Sequence, residues 1–159
     1  MSQISFSNKT IAREYAFKFI YKLFLEDFND DKSAITADKV KLDSTILEFE
    51  ESYIKEDEEH TGNELNPAIQ EHGKLLIKGY LEKENEIVES VMSYVKGRSF
   101  SSIGNIEKSV LCLGAYELIA LDTPAKVVIN EYINLVKKFG TKESSSFING
   151  ILDKMAKSK

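Results

Sequence analysis

Apolar residues recur along most of this chain at steps of three and four, the spacing that lines one face of an α-helix. The clearest runs lie in its last third. From Thr123 to Phe139, residues Ala125, Val128, Ile129, Tyr132, Leu135, Val136 and Phe139 share a face, with Thr123 placed as N-cap, Pro124 as the first helical residue and Gly140 as the C′ stop. Thr141 to Met155 restarts the pattern with Phe147, Ile148, Ile151, Leu152 and Met155 as buried positions. This second helix carries Asn149 and Gly150 at its middle, where a glycine costs roughly 1 kcal/mol relative to alanine. Close approach of another helix at Gly150 is the simplest compensation.

The same periodicity continues upstream. Pro67 opens a predicted long helix running to about Val95, with Ile69, Leu76, Tyr80, Ile87, Val91 and Tyr94 among its apolar positions. A short turn around Phe100 to Ile103 leads into a helix from Asn105 to about Leu121 that is apolar on more than one face, the mark of a central helix. Glu117 lies on it; a buried carboxylate is costly without a partner, so Glu117 is expected to be a hydrogen-bonded structural group and not a catalytic acid. In the first helix, Ile11, Ala12, Tyr15, Ala16, Phe19, Ile20, Leu23 and Phe24 form one stripe, ample for a core. A second stripe, Phe17, Tyr21, Leu25 and Phe28, gives that helix a wider apolar arc than an edge helix needs. Two readings of it stay open: cover by the region from Ile35 to Ile54, or a surface for a partner. Within that region Ile35, Val40, Leu42, Ile46, Leu47, Phe49, Tyr53 and Ile54 support one or two short helices.

Composition narrows the class. With 159 residues, 42% of them hydrophobic, the chain has enough apolar side chains for one core, and one domain is expected. Only 2 prolines and 8 glycines, with few alternating β-branched runs, argue against a sheet protein. The fold class read from this pattern is all-α. The lone Cys112 has no internal disulfide partner and points to a reducing compartment. No apolar run reaches the roughly 20 residues that span a bilayer, and no charged-then-apolar leader is seen, so a cytoplasmic protein is expected.

Charge is unevenly placed. Residues 26–64 hold 14 acidic and 4 basic residues, a net of −10, so the rest of the chain carries +5 against the total of −5. Two regions of opposite sign do not serve one charged ligand. Residues Asp27 to Lys32 read as a polar break, Glu48 to Asn66 as an acidic stretch ending in the Gly62-Asn63 turn signal, and Lys55 to Asn66 within it as a mobile, solvated excursion.

Catalytic chemistry finds no support. His60 and His72 have no neighbouring Cys or His at metal-ligand spacing and read as solvated, so no metal or cofactor is expected. No glycine-rich loop is followed by Lys and Ser/Thr. Ser144, Ser145 and Ser146 sit at a helix start, where hydroxyls cap or face water, and nothing marks one as a nucleophile. Glu107 and Glu117 point in different directions and make no acid/base pair. The chain reads as non-enzymatic.

Several short patterns, taken in order, resemble the NusB family of transcription antitermination factors. They are Ala12-Arg13-Glu14 with Ala16 and Ile20-Tyr21; Leu76-Ile77-Lys78-Gly79-Tyr80-Leu81 with Glu86-Ile87; Ile106-Glu107-Lys108-Ser109-Val110-Leu111; Tyr116-Glu117-Leu118; and Asn130-Glu131, Lys137-Lys138-Phe139-Gly140 and Phe147-Ile148-Asn149-Gly150-Ile151-Leu152-Asp153. The resemblance runs through most of the chain. It implies a compact bundle of about six to seven helices in two packed helical subdomains. It also implies joint binding of boxA-like single-stranded RNA of ribosomal RNA transcripts with NusE, a small-subunit ribosomal protein, within the transcription elongation complex.

Residue by residue, the resemblance places Tyr21 and Leu25, with Phe17 on the same stripe, toward NusE, and Glu107 as an acid facing that partner. Family members carry an arginine-rich run before the Ala-Arg-Glu motif; here Lys9-Thr10-Ile11 leaves only Lys9 and Arg13 as cations, and Cys112 stands where an arginine is common. Fewer cations imply weaker RNA affinity at a given salt concentration. Tyr94, with Arg98 close by, is placed to stack on an unpaired base. Lys126, Lys137, Lys138, Lys142 and Glu143 fall near the surface the family presents to RNA. The thin basic run also allows a protein-interaction module of the same fold with little or no RNA binding; a third reading is the RNA-methyltransferase family that carries a NusB-like domain at its N-terminus, for whose α/β cofactor domain 159 residues leave no room.

Overall fold

A computed structural model of the chain describes residues 7–25, 39–56 and 66–158. Among these residues there are seven α-helices and no strand: α1 (Asn8–Leu25), α2 (Lys39–Glu56), α3 (Pro67–Glu82), α4 (Glu84–Met92), α5 (Asn105–Ala120), α6 (Ala125–Phe139) and α7 (Lys142–Lys157). A single 3₁₀ turn, Phe100–Ser102, stands where the turn was expected. The all-α expectation holds, and the helices follow the order read from periodicity. The chain divides into two compact units, residues 1–77 and 78–159, so that α3 begins in the first and ends in the second.

In the first unit, side-chain oxygens satisfy the open amides at helix starts: Thr10 N donates to Ser7 Oγ (3.1 Å) below α1, and Ile69 N donates to Asn66 Oδ1 (2.9 Å) below α3. The core is organised around Tyr15. Its ring tilts against Phe49 (centroids 5.4 Å apart) and covers Gly73, while its hydroxyl donates to Glu50 Oε1 at 2.7 Å. Glu50 is only 5% exposed, so this bond supplies a partner that a carboxylate at such depth requires. Phe19 meets Phe49 edge-on at 5.3 Å. Of the 35–54 region, read as one or two short helices, residues 35–38 lie outside the described residues and the rest belongs to one helix from Lys39 to Glu56, with Leu42, Ile46 and Phe49 buried one to two turns apart. That helix includes Lys55 and Glu56; the remainder of the acidic excursion expected there, residues 57–65, lies outside the described residues.

The second unit is built on α5, whose ten successive residues Ser109 to Leu118 are all buried because α4, α6 and α7 pack around it. Close approach falls at Gly79, where the Tyr116 phenol fills the space of a Cβ, and at Gly114, against Leu152 (3.3 Å) and the Tyr132 ring (3.5 Å). Glu117 is fully buried and accepts hydrogen bonds from Tyr132 (2.6 Å) and Thr123 (3.1 Å), the structural role read from its place on a central helix.

Four local expectations are corrected. The long helix from Pro67 breaks at Lys83 (φ −111°, ψ 15°) into α3 and α4, inside a polar stretch that contains neither proline nor glycine. Pro124, not Thr123, is the N-cap of α6, because the Thr123 hydroxyl goes to Glu117 instead. Gly140 does stop α6, but as its C-cap and not one position beyond at C′, in an extended conformation (φ −114°). Gly150 is exposed, and among the described residues a Cβ there would meet nothing within 4 Å beyond its own helix, so no described helix approaches it.

Candidate partner and nucleic-acid surfaces

On α1 the second apolar stripe opens gradually toward the C-terminal end. Phe17 is 2% exposed, Tyr21 is half-buried and Leu25 is 56% exposed, and the Phe17 and Tyr21 rings stack with centroids 6.0 Å apart. Phe17 therefore belongs to the core, where it backs the Tyr21 ring, and it offers no area to a partner. Tyr21 and Leu25 remain accessible; Phe28 lies outside the described residues. The cationic pair expected on the same helix is also divided. Lys9 is exposed, but Arg13 is only 3% exposed, because α1 is covered over a wide arc that includes Ala12, Tyr15, Ala16 and Phe17. A guanidinium at that depth cannot neutralise a phosphate on the surface.

In the second unit Glu107 stands in the first turn of α5, half-buried, and accepts a hydrogen bond from Ser144 Oγ in the first turn of α7. Its other oxygen fills the space beside Gly104 that a side chain there would take. The acid expected to face a partner is thus also a strut between two helix starts.

The residues expected on RNA cluster in part. After α4 the chain unwinds through Tyr94, which is half-buried, and turns at Gly97 (φ +74°), a conformation that favours glycine. Arg98 then lies exposed with its guanidinium 4.9 Å from the centroid of Phe147 and one N–H donating to the Ser102 carbonyl (3.2 Å). Phe147 is half-buried, not a core residue as periodicity suggested, and it joins the site from α7. An aromatic at helical spacing reads as core by default, and only the cation seated on its ring marks it otherwise. A similar pairing sets Lys108 Nζ 5.0 Å from the Phe100 centroid.

Lys137 and Lys138 occupy the last turn of α6, where the helix dipole favours cations, with Lys138 Nζ 5.3 Å from the Phe139 ring. Lys142 and Glu143 are exposed in the first turn of α7, and Lys126 is exposed in the first turn of α6. At 1.5 Å per residue, Lys126 stands about 18 Å along α6 from Lys138, so one bound molecule reaches both only if it extends over several nucleotides. His72 is half-buried rather than solvated, and His60 lies outside the described residues. Among the described residues no His, Cys, Asp or Glu group is arranged to hold a metal ion, and no helix is long and apolar enough to cross a membrane.

Comparison with known proteins gives a consistent family. The model of the NusB family matches residues 10–157. The transcription antitermination protein NusB of a Nitratiruptor species is 40% identical over 112 residues, which cover 70% of this chain and 76% of the relative. NusB of Campylobacter jejuni is 42% identical over 84 residues, 53% of this chain, and the match spans 64% of that relative's length. Among solved structures, T. maritima NusB superposes with a TM-score of 0.71 at 24% identity, covering 97% of this chain and 93% of the other. A chain from the structure of antitermination factors NusB and NusE in complex with dsRNA gives 0.72 at 23% identity, covering 96% and 98%. At such identities the two superpositions speak for the fold.

Proposed function

The chain belongs to the NusB family, and from that premise we propose that it is a non-enzymatic, cytoplasmic transcription antitermination factor that binds boxA-type single-stranded RNA of ribosomal RNA transcripts jointly with NusE. The observation that carries this reading is the exposed Arg98 guanidinium laid on Phe147, one to two turns along α7 from Lys142. An unpaired base stacks on such a guanidinium–aromatic platform without regard to its hydrogen-bonding edge. Lys137, Lys138 and Lys142 neutralise phosphates and release counterions. Tyr21 and Leu25 supply an apolar patch for NusE, and Glu107 adds an acceptor. In this reading the whole chain acts as a single RNA- and protein-binding domain on the elongating polymerase. A structure of NusB and NusE in complex with dsRNA, to one chain of which this fold is similar, supports the joint mode. Shared recognition suits two small proteins, since tethering on a common partner raises the effective concentration of the second contact.

Of the two α1 cations assigned to RNA, burial of Arg13 leaves Lys9, which favours weak binding by the chain alone. The test is a fluorescence titration of a boxA-type single strand at several salt concentrations, with and without NusE. Affinity is expected to be low alone and raised by NusE. The logarithm of affinity should fall with the logarithm of salt by about 0.7 per neutralised phosphate, so a slope shallower than that of an arginine-rich site is expected. Lys138→Glu with Lys142→Glu should weaken binding and flatten the slope further. No RNA affinity even in the joint mixture would overturn the antitermination reading and leave the protein-interaction module.

A further inference from the structure

We propose that Ser144 is a positioning residue that couples the partner-facing and RNA-facing turns of the second unit; the inference rests on the function proposed above. Three consecutive serines open α7, and they are not equivalent. Ser146 is exposed and Ser145 is half-buried, whereas Ser144 is 8% exposed and aims its hydroxyl at the Glu107 carboxylate, 37 positions away in sequence. The Ser144 amide donates to Thr141 Oγ1 (3.1 Å), and the Thr141 and Ser144 hydroxyls lie 3.0 Å apart. The protons can be placed consistently: Ser144 gives its hydroxyl proton to Glu107, Thr141 gives its own to Ser144 Oγ, and Thr141 accepts the Ser144 amide. Thr141 is the N-cap of α7, and Glu107 is held against Gly104, the N-cap of α5. One charge-assisted bond therefore ties the starts of two helices.

Lys142 and Glu143, both exposed and both assigned to the RNA face, lie in sequence between Thr141 and Ser144. A partner that fixes the Glu107 carboxylate thereby fixes Ser144 and, through it, the turn that presents Lys142. RNA then meets a turn already ordered and gives up less conformational freedom, and by linkage RNA improves the partner's affinity by the same factor. Neither ligand touches Ser144 in this scheme; its hydroxyl acts only through Glu107 and the α7 cap.

The experiment measures the affinity of a boxA-type single strand for the full chain with and without saturating NusE. The wild-type protein is expected to gain a factor within the usual range of about 5–150. Ser144→Ala should bring that factor close to one, and Ser144→Thr, which keeps the hydroxyl, should restore it. A merely structural serine would shift the melting temperature without moving the factor. A factor retained in folded Ser144→Ala overturns the coupling while leaving the proposed function standing. Absence of RNA binding in the wild-type mixture overturns that function and this inference with it. Should the alanine variant not fold, hydrogen exchange on the wild-type protein decides: NusE alone should protect the first-turn amides of α7, and unchanged exchange there overturns the proposal.

Discussion

A Cβ added at Gly150 would meet no atom within 4 Å, whereas one added at Gly73 would overlap the Tyr15 ring. The two glycines should respond oppositely to alanine. Gly150→Ala is expected to stabilise the protein by about 0.8–1 kcal/mol, the helix-propensity difference alone. At Gly73 the ring cannot swing away without giving up its bond to buried Glu50 and its contact with Phe49, so an overpacking cost of about 1–3 kcal/mol should outweigh the same propensity gain. Denaturant midpoints of the two variants, compared with the parent, check both signs. The sequence shows that each glycine lies within a helix but not whether anything stands over it, because a covering side chain, such as Tyr15 at Gly73, comes from another element. Arg13 and Thr123 depart from expectation for a related reason. Arginine is usually a surface residue and threonine before proline usually a cap, and in each case a tertiary partner or cover overrode the local preference.

Among the elements, α5 and α6 meet through the Glu117 carboxylate, and removing one of its donors should be felt throughout the second unit. Tyr132→Phe keeps the ring and deletes the 2.6 Å bond, and it is expected to cost about 1–3 kcal/mol. For a chain of this size that lowers the melting temperature by roughly 2–4 °C per kcal/mol, which scanning calorimetry reads directly. The α1 surface gives a different contrast. Leu25 is exposed, so Leu25→Asp should change stability by no more than about 0.5 kcal/mol while reducing NusE affinity by about 2 kcal/mol if the residue is central to the interface. Titration calorimetry paired with a melting curve separates the two effects; equal NusE affinity in the folded variant would remove this face from the interface. Existence and order of the helices were legible because apolar periodicity is strong in α3, α6 and α7, while α1 and α5 carry apolar residues at helical spacing on more than one face. The break at Lys83 was not, since the residues around it continue a helical pattern and no proline or glycine interrupts them. Nor could periodicity tell which member of the second α1 stripe is covered, because burial of Phe17 and exposure of Leu25 depend on neighbours and not on spacing.

For the molecule as a whole, the family and the all-α class could be read from ordered short motifs, while the candidate RNA site could be read only in part. Lysines on helix ends are visible in the sequence; the pairing of Arg98 with Phe147 needs the fold to bring α7 against the turn after α4. Two phenols of the second unit add a pH dependence. Burial first, then Cys112 and Glu84, raises Tyr80 well above 10.0, and burial with Glu82 and Glu117 raises Tyr116. The unfolded chain therefore releases these protons before the folded one does. The stability they contribute is complete below about pH 10 and is lost as pH rises from there through the raised values. Melting temperatures measured across that alkaline range should fall, and Tyr80→Phe should flatten the fall. The enclosure of α5 on every side also bears on reactivity. Cys112, the chain's single thiol, is fully buried at the middle of that helix, so an aromatic disulfide reagent reaches it only when the helix opens. If α5 opens only with global unfolding, the free energy obtained from labelling rates will equal the one obtained from denaturant melts, and a smaller value would reveal partial opening around this helix. The protein thus carries a native reporter of its own opening, with no label added and no residue changed.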